Sequence, residues 1–216
     1  MGSPAEQTTS GRRYSRDTAE FARVANLSDA VFAIAMTLLV LTLETPDVPV
    51  SELAGALAGD VPQLGAFLLS FGLVANIWWV HHKLFAQLAW IEPGMVAINL
   101  VGLCGVALVP FPTSLVGSNP TAVAAVVPFI AVFVVLNLLY LWMIERAHRA
   151  GAWTDPMPAG LFPWIRAGWL LSNAMMLAAL ILAVWWPLGG LLALVVSSVP
   201  ELLLGRRAPA GYRQWA

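Results

Sequence analysis

Six long apolar segments, separated by short stretches that contain Pro, Gly, Asn and Asp, form the main pattern along the chain. They cover residues 25–43, 61–84, 95–116, 122–144, 161–186 and 188–204. An α-helix needs roughly 20 mostly apolar residues to cross the hydrocarbon core of a bilayer, and these segments are close to that length. Short turn-forming connections favour antiparallel neighbours. The pattern therefore predicts an all-α membrane protein, a compact bundle of six transmembrane helices.

The composition agrees with a bilayer as the solvent of this protein. Hydrophobic residues make up 59% of the 216 residues and charged residues only 11%, too few to cover a water-exposed surface. The net charge of -1 provides no basic field for nucleic acid. The sequence contains no hydrolase, metalloprotease or nucleotide-binding fingerprint. We therefore expect a protein that contacts membrane lipid, binds no nucleic acid, is not an enzyme, and needs no cofactor or resident metal.

The charged residues predict how the bundle is oriented. When the connections are assigned alternately to the two sides of the membrane, all 11 basic residues fall on one side. They are Arg12, Arg13, Arg16, Arg23, Lys83, Arg146, Arg149, Arg166, Arg206, Arg207 and Arg213. Because basic residues concentrate on the cytoplasmic side, both termini are predicted to be cytoplasmic in a multi-pass protein of the cell membrane. The predicted organisation is a tail at residues 1–22, a six-helix transmembrane domain at 23–205 and a tail at 206–216.

Polar residues interrupt the first two apolar segments near the same side of the membrane. Asp29 lies inside the first segment, where an unpaired carboxylate costs several kcal/mol, so it needs a partner on a neighbouring helix or subunit. An antiparallel second helix brings Trp78, His81 and His82 level with it. Adjacent histidines point about 100° apart on a helix and cannot both face one ligand. This arrangement favours a hydrogen-bond network over a metal site.

The outer half of the first segment carries an apolar stripe. Ile34, Leu38 and Leu41 recur at helical spacing, with Thr37 beside them. Every membrane helix has such stripes, so periodicity alone indicates ordinary helix packing and does not distinguish it from a pore lining.

The first two segments also resemble a known family. The motif Arg23-x-x-x-Leu27-Ser28-Asp29, followed by an apolar run through residue 40, is similar to the first-helix signature of the transmembrane protein 175 family of potassium-permeable channels. Leu27 stands where that signature usually has Phe. Further similarity is found in Trp78-x-x-His81-His82-Lys83-Leu84-Phe85 and in residues 99–100 and 108–115. The resemblance covers the first half of the chain, whereas the second half agrees only in helix number and apolar character.

The resemblance implies a homotetramer in which the first helix of each subunit surrounds a central pore. Potassium would be the permeant ion, and Ile34, Leu38 and Leu41 would form an apolar constriction, with Thr37 adding a ring of hydroxyl groups. Such a ring selects without the backbone-carbonyl filter of other potassium channels, so only a modest preference for potassium over sodium is expected. Residues 23–205 would then be the channel domain.

The same resemblance implies a structural or gating network at the cytoplasmic end of the first two helices. Its members would be Arg23, Ser28, Asp29, Trp78 and His81. Two other readings stay open: a proton-coupled secondary transporter that uses Asp29 and His81, and a membrane-embedded enzyme that uses His81 and His82. The transporter is the main alternative, although the sequence shows no inverted repeat.

Overall fold

A computed structural model describes residues 13–197 of the protein as an α-helical bundle with one very short β-ladder. The helices are α1 (Ala19–Leu38), α2 (Leu53–Gly59), α3 (Val61–Gln87), α4 (Pro93–Leu108), α5 (Pro110–Ser118), α6 (Val123–Ala150), α7 (Leu161–Trp185) and α8 (Pro187–Val196). The strands are β1 (Tyr14–Ser15) and β2 (Trp90–Ile91), and a 3-10 helix, Leu39–Thr42, continues α1.

Five of the six predicted spans are confirmed as helical segments that are long and apolar enough to cross a membrane. Within residues 13–197 these segments are Ala19–Thr42, Val61–Gln87, Pro93–Ser118, Val123–Ala150 and Leu161–Trp185. The sixth predicted span, 188–204, begins as the shorter α8. The rest of that span, the tail 206–216 and residues 1–12 lie outside the described residues. The sixth crossing and the orientation of the termini therefore stay predictions.

The first helix begins earlier than predicted, at Ala19 rather than residue 25. The side chain of Thr18 caps it by accepting a hydrogen bond from the backbone N–H of Phe21 at 3.4 Å, which satisfies one of the donors left free at a helix start. Just before this cap, β1 pairs antiparallel with β2, with Ser15 opposite Trp90. The start of α1 is thereby fastened to the α3–α4 connection.

The third predicted span is divided into two helices rather than formed by one continuous helix. α4 ends at Leu108 and α5 begins at Pro110, whose ring removes a backbone donor and crowds the preceding turn. α5 packs mainly on α3 and α6. The hydroxyl of Thr113 donates to the Val109 carbonyl at 2.8 Å and accepts from the Ser70 hydroxyl at 2.8 Å, which joins α5 to α3 in a buried contact.

The core of the bundle is built around α6. This helix packs against α4, α5, α7 and α8, and it buries residues on several sides rather than along a single stripe. Phe129 and Phe133 are fully buried with ring centroids 5.2 Å apart. The helix ends at Gly151, whose φ of 64° supplies the left-handed conformation of a common C-terminal cap.

The basic residues of the described chain gather at the end of the bundle where α3 ends and α4 begins. Salt bridges there join Arg146 Nε to Glu92 Oε1 at 2.5 Å, Arg149 Nη2 to Glu145 Oε2 at 3.2 Å and Arg166 Nε to Glu145 Oε1 at 2.8 Å. The acidic connection after α1 lies at the opposite end, where the Glu44 backbone N–H donates to Gln63 Oε1 at 3.0 Å. The basic residues of the described chain therefore lie at one end of the bundle, whereas acidic residues occur at both ends.

Candidate functional site

The apolar stripe predicted on the first helix lies on a face of α1 that no other part of the described protomer covers. Ile34, Leu38 and Leu41 are 57%, 42% and 74% exposed. The opposite face of α1 is buried against α3 and α4 by Phe32 and Ala35, among others. α1 is thus an edge helix with one packed face and one open apolar face.

The stripe crosses a change of helix type. Ile34 and Leu38 belong to α1, whereas Leu41 lies in the 3-10 helix, contrary to the continuous α-helix predicted through residue 43. Thr37 is exposed beside the stripe, and its hydroxyl donates to the Ile34 carbonyl at 2.8 Å. Because the hydroxyl hydrogen is used within the helix, the Thr37 oxygen presents lone pairs to its surroundings.

A buried chain of hydrogen bonds links α1, α3 and α4 behind the stripe. The Ser28 hydroxyl donates to the Val24 carbonyl at 2.9 Å and accepts from Asn99 Nδ2 at 2.9 Å. Asn99 therefore directs its Oδ1 at His81 Nε2, 3.0 Å away, and that nitrogen must carry a proton to donate. Ser28, His81 and Asn99 are all almost completely buried. The amide of Asn99 thus holds three helices together.

Aromatic side chains enclose the His81 ring. Phe85 stacks on it with centroids 4.3 Å apart, Phe32 lies 5.5 Å away, and Tyr140 of α6 meets it edge-on at 5.9 Å. His81 Nδ1 has no hydrogen-bond partner among residues 13–197. His82, one residue later, is exposed and stacks on Trp79, so the two histidines face different surroundings.

Asp29 and Trp78 form a separate contact at the open edge of α1. Trp78 Nε1 donates to Asp29 Oδ1 at 3.0 Å, and the carboxylate stays exposed on the protomer. The Trp78 ring also lies 5.5 Å from the ring of His82. Asp29 therefore has its partner on α3, one of the two positions that the sequence left open.

Four of the five residues predicted to act as a network are brought together in two neighbouring contacts, and the fifth is not. Arg23 is exposed and makes no hydrogen bond or ion pair within residues 13–197. Asn99 is not among the five predicted network residues, yet it is the residue that joins Ser28 to His81. The signal available for it was an amide in an otherwise apolar span.

Comparison with known sequences agrees with the resemblance in the first half of the chain. Residues 23–110 match the family described as endosomal/lysosomal potassium channel TMEM175. A curated potassium channel of Streptomyces collinus is 34% identical over 145 residues, which cover 63% of this chain and 69% of the relative. A curated potassium channel of Chamaesiphon minutus is 32% identical over 140 residues, which cover 62% of this chain and 69% of the relative.

A solved structure has the same fold. The crystal structure of a lysosomal potassium-selective channel TMEM175 homolog from Chamaesiphon minutus superposes with a TM-score of 0.73 at 26% sequence identity. The match covers 87% of this chain and 99% of that one, so it includes the second half, where the sequence resemblance is weakest.

Proposed function

The chain belongs to the TMEM175 family, and on that premise we propose that it is a subunit of a potassium-permeable channel whose first helix lines a central pore. Membership of a family of ion channels also means that it is not an enzyme. The observation that carries the pore assignment is the open apolar face of α1. Among the five membrane-length segments, the segment of α1 has the smallest buried share, 22%.

The exposed stripe suits a narrow apolar constriction. If several copies of Ile34, Leu38 and Leu41 surround one axis, a cation passing them loses contact with water and meets no compensating charge. Potassium gives up its hydration shell more easily than sodium, so the ring favours potassium modestly. The same ring can close by losing its water. Strong selectivity is not expected, because fixed coordinating dipoles are missing from the stripe.

Thr37 supplies the polar group nearest to this constriction. Its hydroxyl oxygen has free lone pairs, since its hydrogen is bonded to the Ile34 carbonyl. An oxygen in this position can replace part of the hydration shell of a passing cation. We assign Thr37 to a secondary ring that eases passage between the apolar layers, with K⁺ present only in transit.

The hydrogen bonds behind α1 support the pore helix. The chain from Ser28 through Asn99 to His81 and the contact between Asp29 and Trp78 join the inner half of α1 to α3 and α4. The outer half, with the stripe, makes fewer polar contacts with these helices. We propose that this network sets the tilt of α1 and takes part in gating. Arg23 would join it only across a subunit boundary.

One protomer cannot enclose a pore with a single edge helix, so several copies are required. The proposed assembly is a homotetramer, the number implied by the family resemblance, with α1 of each copy facing the axis. We place the channel in the cell membrane with its basic end, and both termini, in the cytoplasm. Self-association also covers the exposed face of α1.

The rival function is a proton-coupled transporter in which Asp29 and His81 exchange protons. The two residues have different partners: Asp29 accepts from Trp78, and His81 donates to Asn99. A relay between them would need these contacts to rearrange. This geometry favours a structural role, and the flux experiment below separates the two functions.

The test of the proposed function is ion flux from the purified full chain in liposomes. A potassium gradient is expected to drive rapid, non-saturating flux, a sodium gradient slower flux, and an imposed proton gradient no additional flux. Flux that saturates and requires the proton gradient would favour the transporter. Absence of flux for both cations, with the protein correctly inserted, would refute the channel.

A further inference from the structure

A small polar cavity lies away from α1 and is partly open at the surface of the protomer, where Asn76 is exposed and Asn137 is half-buried. It has a volume of about 20 Å³. Its polar lining comes from four parts of the chain: Asn76 of α3, Asn137 of α6, Ser172 of α7 and Ser197, which directly follows α8. Apolar side chains of α3, α6 and α7 complete the wall. No residue of α1 contributes, so the cavity is distinct from the proposed pore lining.

The cavity lies at the depth of the membrane centre. Asn76, Asn137 and Ser172 each fall near the middle of a membrane-length helix, so the hydrocarbon core surrounds this level of the bundle. Polar groups at that depth are costly unless they are hydrogen-bonded. Amide and hydroxyl groups from neighbouring helices converge here. Such groups commonly hydrogen-bond across helices in membrane bundles.

These groups satisfy one another only in part. Asn137 Nδ2 donates to the Phe133 carbonyl of its own helix at 3.1 Å, and no hydrogen bond engages its Oδ1 within residues 13–197. The Asn76 amide makes no hydrogen bond within those residues either. The Ser172 hydroxyl donates to the Ser197 carbonyl over a long 3.4 Å. Two amide oxygens and a hydroxyl oxygen are therefore left as acceptors.

The volume of the cavity and the absence of charge in its lining indicate which kind of molecule it can hold. A single water needs roughly 10–15 Å³ of cavity and two to four polar partners, and this cavity offers both. A desolvated cation would meet only a few neutral oxygens and no charged side chain in this cavity, which is too little to replace its hydration shell. An acyl chain would leave the amides unpaired.

We propose that this cavity is a binding site for an ordered water molecule that bridges Asn137 of α6 to Asn76 of α3 and Ser172 of α7. The water accepts and donates the hydrogen bonds that the amides at the membrane centre otherwise lack. It thereby links α6 and α7 to α3, the helix against which α1 packs. Its presence does not depend on whether α1 lines the pore.

The test is a high-resolution cryo-electron microscopy map of the full chain in lipid nanodiscs, recorded once in potassium buffer and once in choline buffer. A water-sized peak about 3 Å from Asn137 Oδ1 and Ser172 Oγ is expected in both maps. Asn137→Leu should remove the peak while leaving the potassium flux unchanged. The matched control is Asn173→Leu, an amide on α7 that donates to its own Trp169 carbonyl and does not line the cavity, and the peak should persist there.

Three results would overturn the proposal. A peak seen in potassium but not in choline would make the occupant a cation. A cavity filled by an acyl chain or by a side chain of residues 198–216 would leave no room for water. An empty cavity in a map that resolves other buried waters would show that the amides stay unsatisfied.

Discussion

α1 and α6 are both long enough to cross a membrane, yet they relate to the rest of the protomer in opposite ways. Of an 18-residue apolar stretch in each segment, 44% is buried within the protomer for α6 but only 22% for α1. α6 contacts five other helices, α3, α4, α5, α7 and α8, and carries the aromatic centre of the core. α1 contacts mainly α3 and α4 on one side and leaves the other side open.

The two helices therefore differ in whether a single copy of the chain completes their packing. The packing of α6 is satisfied by its own chain, so its side chains should determine whether the protomer folds. α1 is held by hydrogen bonds near its inner end, while its outer apolar stripe finds no partner in the described protomer. Substitutions on that stripe should therefore spare folding and change conduction.

The largest effect is expected in the core of α6. Phe133→Ala removes a fully buried ring that contacts Phe129, and such truncations cost about 3 kcal/mol or more. The yield of assembled protein and its melting temperature, followed by fluorescence-detected size-exclusion chromatography, should both fall. Leu138→Ala, an exposed position on the same helix, is the matched control and should have little effect. Equal effects at both positions would contradict the central place given to α6.

The next largest effect is expected in the buried network. Asn99→Ala removes the donor to Ser28 and the acceptor from His81, each bond being worth about 1 kcal/mol, with more lost where a partner stays buried and unpaired. Ser28→Ala breaks only the first of these bonds. A double-mutant cycle measured by unfolding in detergent should give a coupling of about 0.6 kcal/mol, up to roughly 1.7. Strict additivity would show that the two side chains do not act together.

A smaller energetic effect with a clear functional result is expected on the stripe of α1. Ile34→Asn places an amide in the proposed constriction. Because the amide oxygen can replace part of the hydration shell that sodium loses there, the potassium-to-sodium flux ratio should fall about threefold, or about 0.6 kcal/mol. Stability should change little, because the side chain is exposed in the protomer. Leu138→Asn, exposed on α6, is the control for adding an amide to the bundle surface. A ratio unchanged by Ile34→Asn would remove Ile34 from the constriction.

The smallest effect is expected at Thr37. Thr37→Val keeps the branched shape but removes the oxygen, so potassium flux should fall by less than about twofold, under roughly 0.4 kcal/mol. Thr37→Ser retains the oxygen and should behave like the unchanged protein. If Thr37→Ser alters the flux and Thr37→Val does not, shape rather than the hydroxyl matters at this position.

Much of the fold followed from apolar length. Five spans were predictable because a run of roughly 20 apolar residues, in a chain with so few charges, is the length that an α-helix needs to cross the hydrocarbon core. The break between α4 and α5 falls beside Pro110 and Pro112, two residues in one turn that each lack a backbone donor. The β1–β2 ladder, the short α2 and the salt bridge between Arg146 and Glu92 were not predicted, since each depends on connections that only the folded bundle brings together.

Most residues of the candidate site could be predicted from the sequence, but the hydrogen bonds that connect them could not. The carboxylate of Asp29 demanded a partner, and the position of Trp78 on an antiparallel helix made it available. The link from Ser28 to His81 passes through Asn99 on α4, and nothing in the spacing of α1 and α3 distinguishes that amide from others in the chain. Likewise, helical periodicity gave the stripe, but its exposure appears only once the neighbours of α1 are known.

Cysteine accessibility can show directly whether the open face of α1 lines the pore. The sequence has one cysteine, Cys104, so Cys104→Ser provides a background into which Ile34→Cys or the exposed control Leu138→Cys is introduced. A membrane-impermeant cationic methanethiosulfonate is then added during potassium flux from liposomes. If the open face of α1 lines the pore, flux through the Ile34→Cys protein is blocked while flux through the Leu138→Cys protein continues. Block at Leu138→Cys with none at Ile34→Cys would place the pore elsewhere and contradict this prediction.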